Sequence, residues 1–324
     1  MDRIKKIEIK FIQKNLTDNF IKLMPTFYEM ESAFLSGVYK RYGDLEGGNI
    51  VIFFARDCHL QILRKREIDL DFDLSLDKFW KNHKDIFQPK KKIIIVSQST
   101  GLPKETARRK IISLIKKKHL KKGEKNRLFW EPDSELKETY IKIIEEEINS
   151  LSKFIFEQSK LLYLNLPISK IEKEIKNNYC FYWYHYLNVQ LEYIKFWQEK
   201  LKDLEMLLIG LQVIIQTLNY LKRKVPDINN VFSHGKNLKN IPVNEANISA
   251  TSVSDITGIP RATCIRKLDK FVKMKILEKD EKTKRYSLSL NQTTFNPMLQ
   301  PEWMKHKISI LSEFSSVLMR GLVR

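Results

Sequence analysis

The sequence predicts a mainly α-helical protein built from two tandem copies of one unit, each with a small two-stranded β-hairpin. Three observations lead to this prediction: an internal repeat, helical apolar periodicity around a glycine–proline turn, and a charged hairpin pattern after it. The repeat is clearest between TGLPKETARRK at residues 100–110 and TGIPRATCIRK at residues 257–267. Because a repeat fixes the architecture, we expect a first unit at residues 1–160 and a second at residues 161–324.

The similarity between the two halves continues on both sides of this motif. Upstream, Asp-Leu-Glu at residues 44–46 matches Asp-Leu-Glu at residues 203–205. Downstream, apolar positions between residues 148 and 154 match those between residues 308 and 314. The same order of matches around one strong central match indicates a tandem duplication.

The second copy shows the parts of one unit most clearly. Residues 252–255 (SVSD) have the pattern of a capping box, which begins a short helix that ends at Gly258, where a tight turn needs a positive φ. Pro260 suits the first turn of the next helix. The stretch EKDEKTKRYSLSL at residues 278–290 predicts two strands around a charged tip. The apolar face of the second helix consists of Cys264, Leu268, Phe271 and Val272.

The first copy repeats this pattern around Gly101 and Pro103, and LKKGEKNRLFW at residues 120–130 is its hairpin. Ile95 stands in place of the capping residue Ser252, and Ser99 stands in place of Ile256. We therefore expect a less well-formed first helix in this copy. The apolar face of its second helix consists of Ala107, Ile111, Leu114 and Ile115.

Helix, three-residue turn, helix and basic hairpin are the parts of a winged helix-turn-helix, at about residues 90–131 and 248–290. The stretch SVSDITGIPRATCIRKLDKFVKMKILEK followed by RYSL resembles the winged helices of bacterial transcription regulators, particularly the IclR type, over about forty residues per half. The order of flanking helices is similar to that of the MarR family. This resemblance implies DNA binding by a homodimer, here with both protomers fused as an intrachain pseudo-dimer.

The composition favours a polyanionic partner. The chain carries a formal net charge of +19, which favours a nucleic acid or, less often, an anionic membrane face. Together with the resemblance above, it leads us to expect double-stranded DNA as the partner and no membrane. Its three cysteines show no metal-binding or disulfide spacing, and its charged N-terminal stretch shows no signal peptide, so we expect a cytoplasmic location. The apolar run at residues 206–215 is too short to span a bilayer, and we interpret it as a buried helix.

The start of each second helix would enter the major groove. Arginine there bonds guanine bidentately, a glutamate accepts from cytosine, and the threonines suit phosphate. The hairpin cations would add salt-sensitive contacts to the backbone. The predicted DNA-binding residues are Lys104, Glu105, Thr106, Arg108 and Arg109, with Arg261, Thr263, Arg266 and Lys267. The predicted wing contacts are Lys121, Lys122, Lys125 and Arg127, with Lys282, Lys284 and Arg285.

Apolar stripes on the flanking helices predict that the two copies pack against each other. Such packing would set the two recognition helices about one DNA turn apart, roughly 34 Å. One stripe is Leu136, Tyr140, Ile144, Ile148, Leu151 and Phe154, and the other is Met304, Ile308, Leu311, Phe314 and Leu318. The aromatic stretch at residues 179–197 has two interpretations, a pocket for a small-molecule effector or a buried core helix, and composition favours the core helix.

The sequence contains no motif that points to an enzyme or a cofactor. It has no phosphate-cradling glycine loop, nucleophile elbow or HExxH motif. Residues 68–77 (IDLDFDLSLD) alternate as a strand would, with Asp69, Asp71 and Asp73 on one face. Alternation alone predicts a solvated face, so we expect no metal site there.

Three functions remain open from the sequence. The first is a sequence-specific transcription regulator on an asymmetric, near-palindromic site. The second is a plasmid-type replication initiator, which also carries two winged helices but would bind direct repeats. The third is a winged-helix scaffold that binds other proteins, against which the basic excess argues.

Overall fold

The computed structural model describes residues 7–124, 127–224, 245–289 and 301–323, which are mainly helical and contain two small antiparallel sheets. The predicted helical class with small hairpins is therefore confirmed. The helices are α1 (Ile9–Asp18), α2 (Phe20–Tyr42), α3 (Leu45–Ile68), α4 (Leu76–Asn82), α5 (Ile93–Thr100), α6 (Lys104–Lys116), α7 (Lys137–Leu161), α8 (Ile168–Asn177), α9 (Tyr179–Leu201), α10 (Leu204–Lys224), α11 (Ala250–Thr257), α12 (Arg261–Lys273) and α13 (Pro301–Val323). The strands are β1 (Lys121–Lys122), β2 (Leu128–Phe129), β3 (Leu277–Lys279) and β4 (Tyr286–Leu288).

Most of these elements occur twice in the same order. The series α1, α2, α3, α5, α6, hairpin and α7 is followed by α8, α9, α10, α11, α12, hairpin and α13. Helix α4 belongs to the first half, and the matching positions of the second half fall within residues 225–244, outside the described residues. The boundary predicted at residue 160 lies at the end of α7.

The contacts between the two halves also occur in matching pairs. Helix α3 of the first half packs on α9 of the second, and its counterpart α10 packs on α2. Likewise α1 packs on α13, while α8 packs on α7. Buried apolar residues from both halves join in one core. The halves are thus interlocked through their flanking helices and share their interior.

The apolar stripes of α7 and α13 are buried against helices of both halves. Helix α7 packs chiefly on α2 of its own half and also on α8 of the other, whereas α13 packs chiefly on α1 of the other half and also on α9 of its own. The predicted packing between the two copies is therefore present, but the long helices α2 and α9 of the same halves also cover these stripes, which the sequence did not predict. Leu136 is only partly buried, and the side chain of Met304 lies outside the described part of the chain.

The aromatic stretch at residues 179–197 is a buried core helix. Tyr179, Tyr186 and Tyr193 on α9 are each 1% exposed and lie among the helices of both halves. The Gln190 side chain, also fully buried, donates to Glu31 Oε1 on α2 across 2.9 Å. The rings therefore fill the junction of the halves, as the preferred interpretation predicted.

Helix α10 is the one helix in the described part of the chain that is long and apolar enough to cross a membrane. Most of its apolar window is buried within the protein, against α2 and the second helix-turn-helix. This agrees with the buried helix predicted from residues 206–215.

The prediction of a strand at residues 68–77 was wrong. Ile68 ends α3, and the chain turns before α4 begins at Leu76. Asp69 Oδ1 accepts a hydrogen bond from the Asp71 backbone N–H, and Asp73 Oδ1 accepts one from Ser75. Aspartate favours such local turns over a strand because its short side chain reaches the backbone amide two residues later.

Two details of the helix-turn-helix segments differ from the predictions. The second copy's first helix begins earlier than the capping box indicated, because Ser249 accepts from the Ser252 N–H. In the first copy, α5 forms over eight residues although its N-cap, Lys92, provides no side-chain hydrogen bond. Ile256, which Ser99 replaces, is 47% exposed and is not a core residue, so the replacement does not weaken the helix.

Candidate nucleic-acid interface

Identical serine, threonine and glycine residues build the turn in both halves. Gly101 and Gly258 have φ angles of 70° and 76°, which glycine adopts without strain. Ser97 donates to the Leu102 carbonyl at 2.6 Å, and Ser254 donates to the equivalent Ile259 carbonyl at 2.7 Å. Each serine therefore ties the end of the turn back to the preceding helix and fixes where the next helix begins.

The last lysine of the repeated motif holds each second helix against a carboxylate pair. Lys110 Nζ lies 2.7 Å from Asp44 Oδ2 and 3.3 Å from Glu46 Oε2 at the start of α3. Burial alone would lower the pKa of Lys110, but hydrogen bonds and charge from Asp44 and Glu46 raise it above its usual value. Lys110 therefore stays protonated, and its ion pairs anchor α6 to the start of α3.

Lys267 makes the same anchor in the second half. Its Nζ lies 2.6 Å from Asp203 Oδ2 and 3.0 Å from Glu205 Oε2, and its side chain is only 10% exposed. The side chain is directed into the protein and its charge is already matched. We therefore correct the prediction that Lys267 contacts DNA: it anchors α12 to the start of α10 instead.

The turn of each half also packs on the long helix of the other half. A β-carbon on Gly101 would lie 3.8 Å from the side chains of Lys195 and Gln198 on α9. A β-carbon on Gly258 would lie 3.8 Å from Tyr39 and 3.9 Å from Lys40 on α2. Helices α6 and α12, which follow these turns, are thus held relative to one another through reciprocal contacts.

The exposed face at the start of α6 carries an internal ion pair. Arg108 donates to Glu105 Oε1 through both Nε, at 3.1 Å, and a terminal nitrogen, at 2.7 Å. Hydrogen bonds from Arg108 lower the pKa of Glu105, which keeps the carboxylate charged. Lys104 and Arg109 are exposed beside this pair, and Thr106 is half-buried. The surface at the start of α6 therefore carries two cations that form no ion pair with a described residue, Lys104 and Arg109, and one ion pair, Arg108 with Glu105.

The exposed face at the start of α12 carries fewer polar groups. Arg261 Nε donates to the Thr251 hydroxyl at 3.0 Å, so this guanidinium leans back on α11. Arg266 is exposed, as is its counterpart Arg109, and Thr263 is half-buried. Ala262 and Ile265 replace the charged residues of the first face. The two faces therefore share one outward arginine and differ in the rest.

The hairpins carry their cations partly in ion pairs. Lys121 pairs with Glu131 at 2.6 Å, and Lys284 pairs with Glu281 at 2.8 Å. Arg127 lies over the Phe87 ring, 4.2 Å from its centroid. Ion pairs near the surface contribute little to stability. Lys122 and Lys282 are exposed, Arg285 donates to Asn247 Oδ1 at 3.2 Å, and Lys125 lies outside the described residues.

Sequence reasoning missed the role of the acidic residues at the start of α3 and α10. The match between residues 44–46 and 203–205 was visible, and it marked the partners of the repeated lysine. Because the acidic pair and the lysine occur in both copies, their joint repetition could have predicted this ion pair.

No protein-family model matches the chain, and no curated protein or solved structure is significantly similar to it.

Proposed function

We propose that this chain is a sequence-specific DNA-binding transcription regulator that works as a single-chain pseudo-dimer of two winged helices. The observation that carries the proposal is the pair of helix-turn-helix–hairpin segments, each of which presents an exposed arginine, Arg109 or Arg266, at the same position of its second helix. An outward arginine near the start of such a helix is suited to guanine in the major groove.

The reciprocal contacts between the halves support the pseudo-dimer. In a twofold dimer, if element a of one protomer packs on element b of the other, then b also packs on a. The pairs α3 with α9 and α2 with α10 follow this rule, as do α1 with α13 and α8 with α7. A twofold arrangement of reading helices favours an inverted repeat in DNA over a direct repeat. This is our reason to prefer a regulator to a replication initiator.

The charge of the chain supports a nucleic acid as the partner. A formal net charge of +19 would supply steering and salt-sensitive affinity for a polyanion. Free buried cysteines such as Cys58 and Cys264 fit the reducing cytoplasm that this function requires.

The test is selection of bound duplexes from a random-sequence library with the full chain. We expect an inverted pair of unlike half-sites about one helical turn apart. Direct repeats would favour the replication initiator, and the absence of any enriched sequence would favour the protein-binding scaffold.

The matched variants are Arg109→Ala and Arg266→Ala, measured on the selected duplex at fixed salt. Each should weaken specific binding by about 1–3 kcal/mol and relax the preference at its own half-site only. The wing variant Lys282→Ala is the control, since a phosphate contact should weaken all sequences alike. If neither arginine variant changes affinity, the assignment of the reading helices is wrong.

A further inference from the structure

An open groove of about 580 Å³ lies on the first half, between the start of α5, the length of α6 and strand β2. Its floor is aliphatic, and two of the floor residues, Ile94 and Ile112, are 45% and 55% exposed. The floor residues are Ile93, Ile94, Ile111, Ile112, Ile115 and Leu128. Exposed isoleucines in one concave surface are a feature of binding sites.

In the second half an aromatic ring fills the equivalent place. Lys122 pairs with Leu128 across the first hairpin, and Lys279 pairs with Tyr286 across the second, so Leu128 and Tyr286 are counterparts. Tyr286 is 2% exposed, and its hydroxyl donates to Asp269 Oδ1 at 2.9 Å. The first half has a leucine in the groove where the second half has this buried tyrosine, and Ile112 where the second half has Asp269, the partner of the tyrosine.

The outer edge of the hairpin differs in the same way. In the second half, Ile248 joins Tyr286 through two backbone hydrogen bonds of 2.9 Å, which adds an extended segment to the hairpin. Its counterpart in the first half is Lys91, which is paired with Asp57 instead. Within the described chain, no backbone bridge joins residues 90–92 to Leu128. On this edge the Gln88 side chain bonds both the N–H and the carbonyl of Trp130, so among the described residues the edge offers a partner strand Leu128 alone.

The rim of the groove is positive. No carboxylate lines it in the part of the chain that the structure describes. Two of the rim cations form ion pairs: Arg108 with Glu105, and Lys91 with Asp57. The remaining rim lysines form no ion pair with a described residue. These unmatched rim cations are Lys90, Lys92, Lys104 and Lys122.

We propose that this groove binds an extended acidic peptide segment of a partner protein, with one aromatic side chain placed where Tyr286 lies in the second half. The ring packs on the isoleucines, the flanking carboxylates face the rim lysines, and the peptide backbone adds a contact at Leu128, next to the part of the edge that Gln88 covers. An aliphatic floor favours a side chain over a sugar–phosphate backbone, which is why the occupant is a peptide and not nucleic acid. The proposal does not rest on the proposed DNA-binding function.

The experiment measures fluorescence anisotropy of a labelled seven-residue peptide with a central phenylalanine between aspartates and glutamates, titrated with the full chain. We expect saturable binding that weakens at least about tenfold when alanine replaces the phenylalanine, since an anchor residue dominates a small interface. Leu128→Tyr should weaken binding to a similar extent by filling the groove with the residue that the second half uses. Lys92→Glu should weaken it through charge.

The matched control is Lys282→Glu on the second hairpin, which should leave peptide binding unchanged, and thermal melts verify that each variant is folded. The proposal is overturned if the chain binds no peptide, or if the alanine peptide binds equally well. It is also overturned if Leu128→Tyr leaves peptide binding intact. If Leu128→Tyr instead weakens duplex DNA binding and no peptide binds, the groove belongs to a nucleic-acid surface.

Discussion

The two helix-turn-helix segments share their internal contacts but differ in the residues on the surface of the second helix. The serine–carbonyl bonds of the turns, the left-handed glycines and the lysine–carboxylate anchors are nearly superimposable in their partners and distances. At the start of the second helix the surface residues differ: Lys104, Glu105 and Arg108 in the first half correspond to Arg261, Ala262 and Ile265 in the second. The contacts that hold the unit together are thus repeated, and the surface of its second helix is not.

This comparison changes the meaning of the repeated Arg-Lys pair. Its arginine, at 109 or 266, is exposed in both halves, whereas its lysine, at 110 or 267, is tied to carboxylates. A shared exposed arginine and a shared structural lysine are therefore adjacent in sequence. Under the proposed function, the arginine would make a common contact in both half-sites, and the neighbouring positions would distinguish them.

The largest expected difference between the halves is their response to acid. Buried histidines lie beneath the first segment, and burial lowers the pKa of His59 to about 3 and that of His119 to about 4. Residues 245–289 contain no histidine. Burial disfavours the charged imidazolium, so the folded protein holds these rings in the neutral form. The free energy of unfolding is therefore unaffected above the usual histidine pKa of 6.5 and decreases as the pH falls below that value.

We therefore expect the first segment to lose protection before the second when the pH is lowered. His59 alone should cost about 3 kcal/mol at pH 4. Hydrogen exchange at pH 7 and pH 4, corrected for intrinsic rates, should show earlier opening of α6 than of α12. His59→Phe, which keeps a ring stacked on Phe79, should reduce the difference. Equal opening of both helices would contradict the assignment.

A smaller difference is expected when the two anchors are removed. Lys267 is 10% exposed and Lys110 is 29% exposed, so water screens the ion pairs of Lys267 less. Removing its charge should therefore cost more stability. We expect a loss of about 2–3 kcal/mol for Lys267→Met and about 1 kcal/mol for Lys110→Met. Urea denaturation measures both, with exposed Lys282→Met as the control. Losses no greater than that of the control would mean that the anchors do not hold the helices.

The smallest effect on stability, and a large one on recognition, should follow from exchanging the exposed faces. The triple variant Lys104→Arg, Glu105→Ala and Arg108→Ile gives the first face the residues of the second. Because these side chains are on the surface, stability should stay within about 0.5 kcal/mol. Duplex selection should then return two like half-sites in place of unlike ones. An unchanged selected sequence would show that these positions do not read bases.

The sequence predicted the repeated framework well because its signals are local. Gly101, Gly258 and the two hairpins depend on turn geometry and on pairing between nearby strands, which neighbouring residues determine. The partners of buried helices depend on packing between distant segments, and the cover of α7 by α2 was missed for that reason. The groove at Leu128 could not be predicted from the sequence alone. The difference between Leu128 and Tyr286 is visible there, but only the structure shows that the Tyr286 ring is buried beside Asp269.

The failure at residues 69–73 has a different cause. The alternation of aspartates with apolar residues fits a strand, but Asp69 and Asp73 each bond a backbone amide two residues later. A side chain that can replace a strand's backbone partner competes with the sheet. Likewise, Lys267 was assigned to DNA from its position in the motif, because charge alone does not reveal a carboxylate sixty-four residues away in sequence.

The measurement that tests the central claim most directly is a hydroxyl-radical footprint on a selected duplex, combined with the mass of the complex. The account predicts one chain per duplex and two protected segments about one helical turn apart, with Arg109→Ala removing protection from one and Arg266→Ala from the other. A single protected segment, two chains per duplex, or loss of both segments in either variant would contradict a single-chain pseudo-dimer that reads DNA with both halves.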